Sequence, residues 1–298
     1  MRVLLIGYGS IGQRHKRILE SLDAKVDVVT KQKLRDKTTF KSLKSVKNLK
    51  KYDYFIIASE TTKHFQQLKY LDSKVKNKKI FCEKPLFKTD KKLDIKNNKV
   101  YVGYVLRFHP LLQKLKKFLK SETVISSNIK CGQYLPTWRE GRDYRESYSA
   151  SKKDGGGVLL DLSHEIDYAQ WLFGEVKELK SYQVKISDLE IDSDDLTMFI
   201  GKTKNNIMLN ISVDYISKLT HREMFVETLQ HTYKLDFIKN RLVKIGKDGS
   251  KKIYKIRLQR DSMFIKQHKS ILKNKNIATT FQQAKNVMKT IKIIQDSK

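Results

Sequence analysis

The first half of the chain alternates short apolar runs with amphipathic stretches. Val3–Ile6 is apolar and stops at Gly7, and Ile11, His15, Ile18, Leu19 and Leu22 then recur at helical spacing. Lys25–Thr30 and Tyr54–Ala58 predict a second and a third strand, and Phe65–Leu71 a helix. Lys79–Cys82 and Val100–Leu106 predict further strands, and Pro110–Leu119 a helix. Strands alternating with helices through short links predict a doubly wound parallel sheet with helices on both faces. Beyond about residue 120 the pattern changes. Val124–Lys130, Val176–Ile186, Leu196–Lys202, Ile207–Val213, Arg222–Leu229, Tyr233–Ile238 and Arg241–Ile245 read as successive strands. Several of them alternate apolar and polar positions, as in LTMFIG, and polar turns such as KTKNN separate them. This is the pattern of an antiparallel meander with one covered face. Helices near 263–274 and 280–295 close the chain. The change of pattern places a boundary near 118–123, between a dinucleotide-binding domain over 1–120 and a second, α+β domain over 121–298.

The composition supports a cored protein: 39% of the 298 residues are hydrophobic. Charge is the unusual feature, 62 Lys and Arg against 32 Asp and Glu, for a net +30. Most of the surplus is lysine scattered along the chain, and arginine is the minority. No zinc-finger, RNA-binding or basic-zipper pattern accompanies it. The excess therefore reads as a solvated lysine surface rather than a nucleic-acid interface, with an attraction for phosphorylated small molecules as its consequence. The two cysteines, Cys82 and Cys131, are far apart, which argues against a disulfide framework or a zinc site, and no metal is expected. No apolar run approaches the roughly 18–20 residues of a membrane span. The N-terminus opens directly on a strand, so a cytoplasmic location is the expectation.

Two motifs carry chemistry. The first is the loop Gly7-Tyr8-Gly9-Ser10-Ile11-Gly12, a G-x-G-x-x-G that follows a strand and opens a helix. Its glycines suit a tight turn, close approach of a pyrophosphate, and close helix–strand packing. In NAD users the second strand ends in a carboxylate for the ribose hydroxyls. Here Asp27 lies inside the strand and the end is Thr30-Lys31, with Gln32, Lys33 and Arg35 beyond. A lysine there suits a 2′-phosphate, so the reading leans to NADP, with NAD as the alternative.

The second motif is DGGGVLLDLSHEIDYAQWLFGE, residues 154–175. Glycines run into an apolar, strand-like stretch, and Asp161, His164 and Asp167 follow at intervals of three. A helix from about 162 to 173, capped by Asp161 or Ser163 and stopped by Gly174, would make His164 and Asp167 a surface pair. The alternative is a proton-transfer site, because an imidazole takes a hydroxyl proton near neutral pH and a carboxylate orients it. Between the motifs stands Cys82-Glu83-Lys84-Pro85 at the carboxyl end of a predicted strand, where open α/β sheets bind ligands. Lys84 could hydrogen-bond a substrate hydroxyl and stabilise an alkoxide. Glu83 is expected buried or paired beside it, and Pro85 fixes the turn. Arg107 and His109, and the aromatic, arginine-rich run holding Tyr134, Trp138, Arg139, Arg142, Tyr144 and Arg145, are candidates for binding a sugar or its phosphate. Tyr104 and Tyr215 read as core or rim.

GYGSIG, ASETTKH at 58–64, EKP at 83–85, GYVLRFHP at 103–110 and the glycine–Asp–His segment occur in this order. Together they resemble the Gfo/Idh/MocA family, named for glucose–fructose oxidoreductase, inositol dehydrogenase and a rhizopine-catabolism protein. The resemblance implies an N-terminal Rossmann domain and a C-terminal domain on an open, mostly antiparallel sheet. It implies pyridine-nucleotide oxidoreduction on sugars or cyclitols, with subunits pairing through the C-terminal sheet as homodimers or homotetramers. It places Lys84 as the catalytic-site lysine, and Ser59, Thr61 and His64 along the cofactor pocket with Glu83. It places Asp161 and His164 beside the nicotinamide, although the family spaces that pair four apart and this chain three apart. Wording such as YLPTWR and DLSHEID points to a nucleotide-linked or otherwise charged sugar of surface-glycan biosynthesis. The expected chemistry is hydride transfer with His164 as base, Lys84 polarising the hydroxyl, and Asp161 or Asp167 orienting the histidine. The expected geometry brings Lys84 and His164 to one nicotinamide face. A dinucleotide-binding sensor or scaffold without turnover is the competing reading.

Overall fold

The computed structural model describes residues 1–34 and 39–297, so Arg35 lies outside the described residues. The chain forms two compact units. One comprises 1–108 and 260–285, the other 109–259 and 286–298. The division falls at 108/109 rather than near 120, and the chain returns to the first unit after residue 259.

The first unit opens with β1 (Arg2–Ile6), α1 (Ser10–Glu20), β2 (Lys25–Val29), β3 (Thr39–Phe40), β4 (Tyr54–Ile57), α2 (Thr61–Lys74), β5 (Lys79–Cys82) and β6 (Lys99–Val102). Val3, Leu4, Leu5 and the YFII of β4 are wholly buried, as strands covered on both faces must be. The expected strand over 100–106 stops at Val102. Gly103 turns the chain there, its N–H donating to Cys82 O (2.8 Å), and Val105–Phe108 forms a 3-10 turn.

The second unit holds α3 (Pro110–Phe118), β7 (Val124–Gly132), α4 (Val158–Asp161), α5 (His164–Phe173), β8 (Val176–Val184), β9 (Leu196–Thr203), β10 (Met208–Asp214), β11 (His221–Thr228), β12 (His231–Asp236), β13 (Arg241–Gly246) and β14 (Lys251–Lys255). The chain then adds α6 (Ser262–Leu272) and β15 (Thr279–Thr280) to the first unit, and α7 (Phe281–Asp296) ends in the second.

The first sheet runs β15-β6-β5-β4-β1-β2-β3, parallel except where β15 meets β6. Strand order reverses between β1 and β4, the switch point where such sheets bind ligands. The second sheet runs β14-β13-β12-β11-β7-β10-β9-β8. It is not a plain meander, because β7 lies between β11 and β10 and runs parallel to β10. A parallel pair needs a long crossover, and this one carries α4 and α5. Ile129, Met224, Leu209, Ile211 and Phe199 fill one face of the sheet. Tyr182, Met198, Ile200 and Met208 are exposed on the other.

Candidate functional site

In the first unit, the register sets the ends of β1, β4 and β5 side by side, with Ile6 opposite Ile57 and Ile57 opposite Cys82. The residues that follow continue the row: Ala58 N–H donates to Ile6 O and Glu83 N–H to Ile57 O, both at 2.8 Å. The glycine loop and Lys84 therefore leave the same edge of one sheet. Gly7 has φ +98°, and a Cβ there would sit 2.5 Å from Ala58 O. A Cβ on Gly12 would sit 2.3 Å from Gly7 O. Among the described residues nothing lies within 4 Å of a Cβ built on Gly9, the residue that precedes the first turn of α1. The first and third glycines are thus required by the fold, and the second leaves room for an anion at the helix N-terminus. Ser10 is exposed there, whereas the partly buried side chains of Tyr8 and Ile11 pack against the core.

The end of β2 comes to this loop, since Gln32 Nε2 donates to Tyr8 O (3.3 Å). Thr30 Oγ1 accepts from Gln32 N–H (3.2 Å), and Lys31 is exposed. Asp27 is occupied elsewhere. It accepts from Tyr52 OH (2.5 Å) and faces Lys51 Nζ (3.3 Å), and burial together with this carboxylate raises the Tyr52 phenol.

After β4, Ser59 Oγ donates to Gln67 Oε1 (2.7 Å), and Thr61 begins α2, half-buried. His64 is 1% exposed. Its Nδ1 faces Pro85 O (3.1 Å) and its Nε2 faces Ser59 O (3.1 Å), so it ties the β4 loop to the Glu83-Lys84-Pro85 turn instead of lining the pocket by its ring. Burial lowers its pKa against the pull of these carbonyls. Lys84 is half-buried and precedes a cis proline. Glu83 is buried and paired: His15 Nε2 meets its Oε1 at 2.8 Å, and Lys84 N–H donates to its Oε2 at 3.1 Å. Arg107 is 2% exposed, with Nη1 donating to Gln283 Oε1 (2.8 Å), an interior position. Tyr104 is wholly buried, as expected of a core residue.

In the second unit, the strand-like stretch after the glycines is the helical turn α4, and the helix expected over 162–173 begins at His164. The glycines explain the difference. Gly157 has φ +106°, and a Cβ there would lie 2.1 Å from Asp194 Oδ1. Asp194 in turn accepts the Leu159 N–H (2.9 Å), and its backbone carbonyl accepts the Val158 N–H (3.0 Å). Residues 158–161 start as a helix because Asp194, from the loop before β9, caps them. Asp161 is the last residue of α4, and Ser163 holds the N-cap position of α5. Asp161 Oδ2 accepts from Ser149 Oγ and from Tyr215 OH, each at 2.6 Å, and Tyr148 hydrogen-bonds the same carboxylate. Burial, and then Asp161, push both phenols above their usual range.

His164 is half-buried at the start of α5, and Asp167, one turn on, is 1% exposed, so the two are not a surface pair. Ser163 precedes the helix with no side-chain cap, its Oγ donating to Leu160 O (2.8 Å). Gly174 ends it, donating to Gln170 O (3.0 Å).

Trp138, Arg139, Arg142 and Tyr144 line a cleft of about 350 Å³. Its wall reaches the Asp161 cage: Trp138 meets Tyr215 edge-on at 5.4 Å, Arg139 lies 5.1 Å over the Tyr148 ring, and Arg139 Nη2 approaches Ser149 Oγ at 3.5 Å. Arg145 pairs with Asp143 (2.7 Å) and Glu190 (3.2 Å). His109 is 1% exposed, with Nε2 at Asn240 Oδ1 (3.1 Å), away from that cleft. Ser149, Tyr148 and Tyr215 were not legible as site residues, since no local pattern marks a hydroxyl that reaches a carboxylate 12 to 54 positions away.

Comparison with known proteins accounts for both units. Residues 1–96 match the oxidoreductase family with an NAD-binding Rossmann fold, and residues 123–233 match the Gfo/Idh/MocA C-terminal domain. The 2,7-anhydro-N-acetylneuraminate hydratase of Escherichia coli (strain K12) is 30% identical over 148 residues, which is 46% of this chain and 38% of that protein. An oxidoreductase from Agrobacterium radiobacter, solved with NAD+, L-tartaric acid and magnesium, shares the fold at TM-score 0.83 and 15% identity, over 100% of this chain and 96% of that one. The UDP-N-acetylglucosamine 3-dehydrogenase of Acidithiobacillus ferrooxidans does so at TM-score 0.79 and 15% identity, over 100% and 97%. With its Rossmann unit and its C-terminal sheet each matched, the chain belongs to the Gfo/Idh/MocA oxidoreductases, an NAD-binding family.

Proposed function

We propose that this protein is an NAD(P)-dependent dehydrogenase or reductase acting on a carbinol or ketone carbon of a sugar, and that the sugar is nucleotide-linked, as in surface-glycan biosynthesis. One observation carries the reading. The Gly9 cradle and Lys84 leave the same edge of one sheet, at adjacent strand ends. The loop amides of Gly7–Gly12 would hold the pyrophosphate, Ser59 and Thr61 would flank it, and Thr30-Lys31 would meet the adenosine ribose. The exposed lysine at that strand end, with Asp27 occupied by Tyr52, favours a 2′-phosphate and hence NADP over NAD. The nicotinamide, when bound, supplies or accepts the hydride.

The residues of the chain do the rest. Lys84 donates a hydrogen bond to the substrate oxygen and stabilises negative charge as it develops there. His164 takes the hydroxyl proton in the oxidative direction and returns it in the reductive one. Asp167, buried one turn along α5, is the carboxylate that orients the imidazole. Asp161 is a fixed acceptor, its orientation set by three hydroxyls. The cleft of Trp138, Arg139, Arg142 and Tyr144 suits a sugar face stacked on an aromatic ring and an anionic group met by arginine. The likeness to a nucleotide-sugar dehydrogenase supports the substrate class.

The test is turnover of reduced and oxidised dinucleotides against a panel of nucleotide sugars. Lys84→Ala and His164→Ala should each lower kcat by roughly 10²-fold or more. Wild-type kcat in either variant removes the assigned role, and dinucleotide binding with no turnover on any sugar replaces the enzyme with a sensor or scaffold. A clear preference for NAD removes the NADP assignment alone.

A further inference from the structure

Four buried side chains of the first unit, drawn from α1, β4, α6 and the turn after β5, form one hydrogen-bonded line. Glu83 Oε1 meets His15 Nε2 at 2.8 Å, His15 Nδ1 meets His268 Nε2 at 2.9 Å, and His268 Nδ1 meets Tyr54 OH at 3.1 Å. His15, His268 and Tyr54 are wholly buried, and Glu83 is 8% exposed. Phe81 packs against both imidazoles, with ring centroids at 5.1 and 5.4 Å. The line ends on the carboxylate whose other oxygen accepts the Lys84 N–H. Gly103 faces the same carboxylate so closely that a Cβ would lie 2.8 Å from Oε2. Polar groups this deep in a core are costly unless each contact is made, so a line in which every contact is made fixes its members firmly.

The proton count restricts the line to few arrangements. An ionised Glu83 only accepts, so His15 Nε2 carries a proton. Burial, and then His15, hold His268 well below the usual histidine range, so its ring is neutral and carries one proton. With His15 also neutral, every donor points toward Glu83: Tyr54 O–H to His268 Nδ1, His268 Nε2–H to His15 Nδ1, and His15 Nε2–H to Glu83. The alternative charges His15 and makes Tyr54 the final acceptor. The phenol keeps its proton in either arrangement, and among the described residues His268 Nδ1 is the hydrogen-bond partner of Tyr54 OH, so the first arrangement is the one that gives that proton an acceptor.

We propose that His15, His268 and Tyr54 are positioning residues that act as one relay, fixing the Glu83 carboxylate and through it the backbone from which Lys84 reaches the reacting centre. The relay deepens the functional reading given for Lys84 and rests on it. Its particular consequence is coupling between Glu83 and Tyr54, which do not touch. In Glu83→Gln the side chain keeps its oxygen for the Lys84 N–H and turns its amide N–H to His15 Nε2. Both imidazoles must then shift their proton from Nε2 to Nδ1, and Tyr54 must become the acceptor. Tyr54→Phe alone leaves only the His268 Nδ1 lone pair unmet, whereas in the double variant the same nitrogen carries a buried N–H with no acceptor, which is the costlier loss.

The experiment combines imidazole nitrogen NMR, thermal melts and kinetics on the full chain. In the wild type, both His15 and His268 should be neutral and protonated at Nε2. In Glu83→Gln both should carry the proton at Nδ1. Tyr54→Phe and Glu83→Gln together should lower the melting temperature by more than the sum of the single variants. Unchanged tautomers in Glu83→Gln, or strictly additive melting shifts, overturn the relay. For positioning, His15→Gln should lower kcat by about tenfold or more while changing the dinucleotide Kd less than about twofold, as a displaced but intact reacting group does. Loss of turnover in Lys84→Ala with none in His15→Gln overturns positioning while sparing the role of Lys84. A wild type without turnover overturns the functional reading and positioning together, and the spectra still decide the relay.

Discussion

The three glycines of the nucleotide loop show how different demands fall on one residue type. Gly7 and Gly12 are held by backbone oxygens that leave no room for a Cβ, whereas Gly9 has ordinary dihedrals (φ −71°) and open space. Gly9→Ala should therefore leave stability within about 0.5 kcal/mol of wild type, as surface changes do. The same methyl would stand where the pyrophosphate approaches, so dinucleotide Kd should rise by roughly tenfold or more. A thermal melt and a binding titration on the one variant separate the two effects. An unchanged Kd would mean that the phosphate does not approach that residue. Residues of this kind were legible because their chemistry sits in consecutive positions: the loop at 7–12, Glu83-Lys84-Pro85, and the segment from Gly155 to Asp167. His15 and His268 were not, because 253 positions separate them and neither lies in a recognisable motif. Read alone, His15 is one position in an amphipathic helix. Tyr215 reads as core or rim until its hydroxyl is seen on Asp161.

Elements were legible where one pattern persisted for several residues and illegible where a distant partner decided the outcome. The parallel strands β1, β4 and β5 were read almost to the residue because both faces are buried and the apolar run has nowhere else to go. The stretch after the glycine cluster is apolar enough for a strand, and Asp194 makes it a helical turn by capping it from the other side of α5 in sequence. β14, rich in lysine at the sheet edge, carries no apolar pattern to betray it.

Packing of α2 and α6 through buried imidazoles also sets an acid limit. His64 and His268 have pKa values lowered from 6.5, mainly by burial. Below that value the unfolded chain binds protons that the folded chain refuses, so stability is complete above about pH 6.5 and falls as pH drops through it. Each histidine contributes a slope of up to about 1.4 kcal/mol per pH unit. Melting temperature should hold steady from neutral to mildly alkaline pH and decline progressively between about pH 6.5 and 5. A curve that stays level over that acid interval would show that these rings protonate in place.

At the scale of the molecule, the second sheet leaves an apolar face bare. Tyr182 stands opposite Met198, and Ile200 stands between Lys180 and Asn210, so these side chains share one side. Tyr182 is 77% exposed and Ile200 61%. A bare apolar patch of this kind marks an association surface, and pairing of two copies through it is the expected outcome. Light scattering should report a dimer or a larger even assembly, and Ile200→Glu should return it to monomer. With a net charge of +30 and lysines along the same strands, added salt should tighten the association by screening repulsion. A wild type that is monomeric at high salt contradicts the assignment.

The path of the chain between its two units has a practical consequence. It changes unit three times, after residues 108, 259 and 285. The nucleotide-binding half is therefore not a segment that scissors can lift out. A fragment ending near 120 would lack α6, and with it Ile271 and Ala278 of its own interior and the imidazole that completes the line from Tyr54 to Glu83. Such a piece would expose a greasy wound where the missing helix belongs, and restoring it would require grafting 260–285 back by a linker.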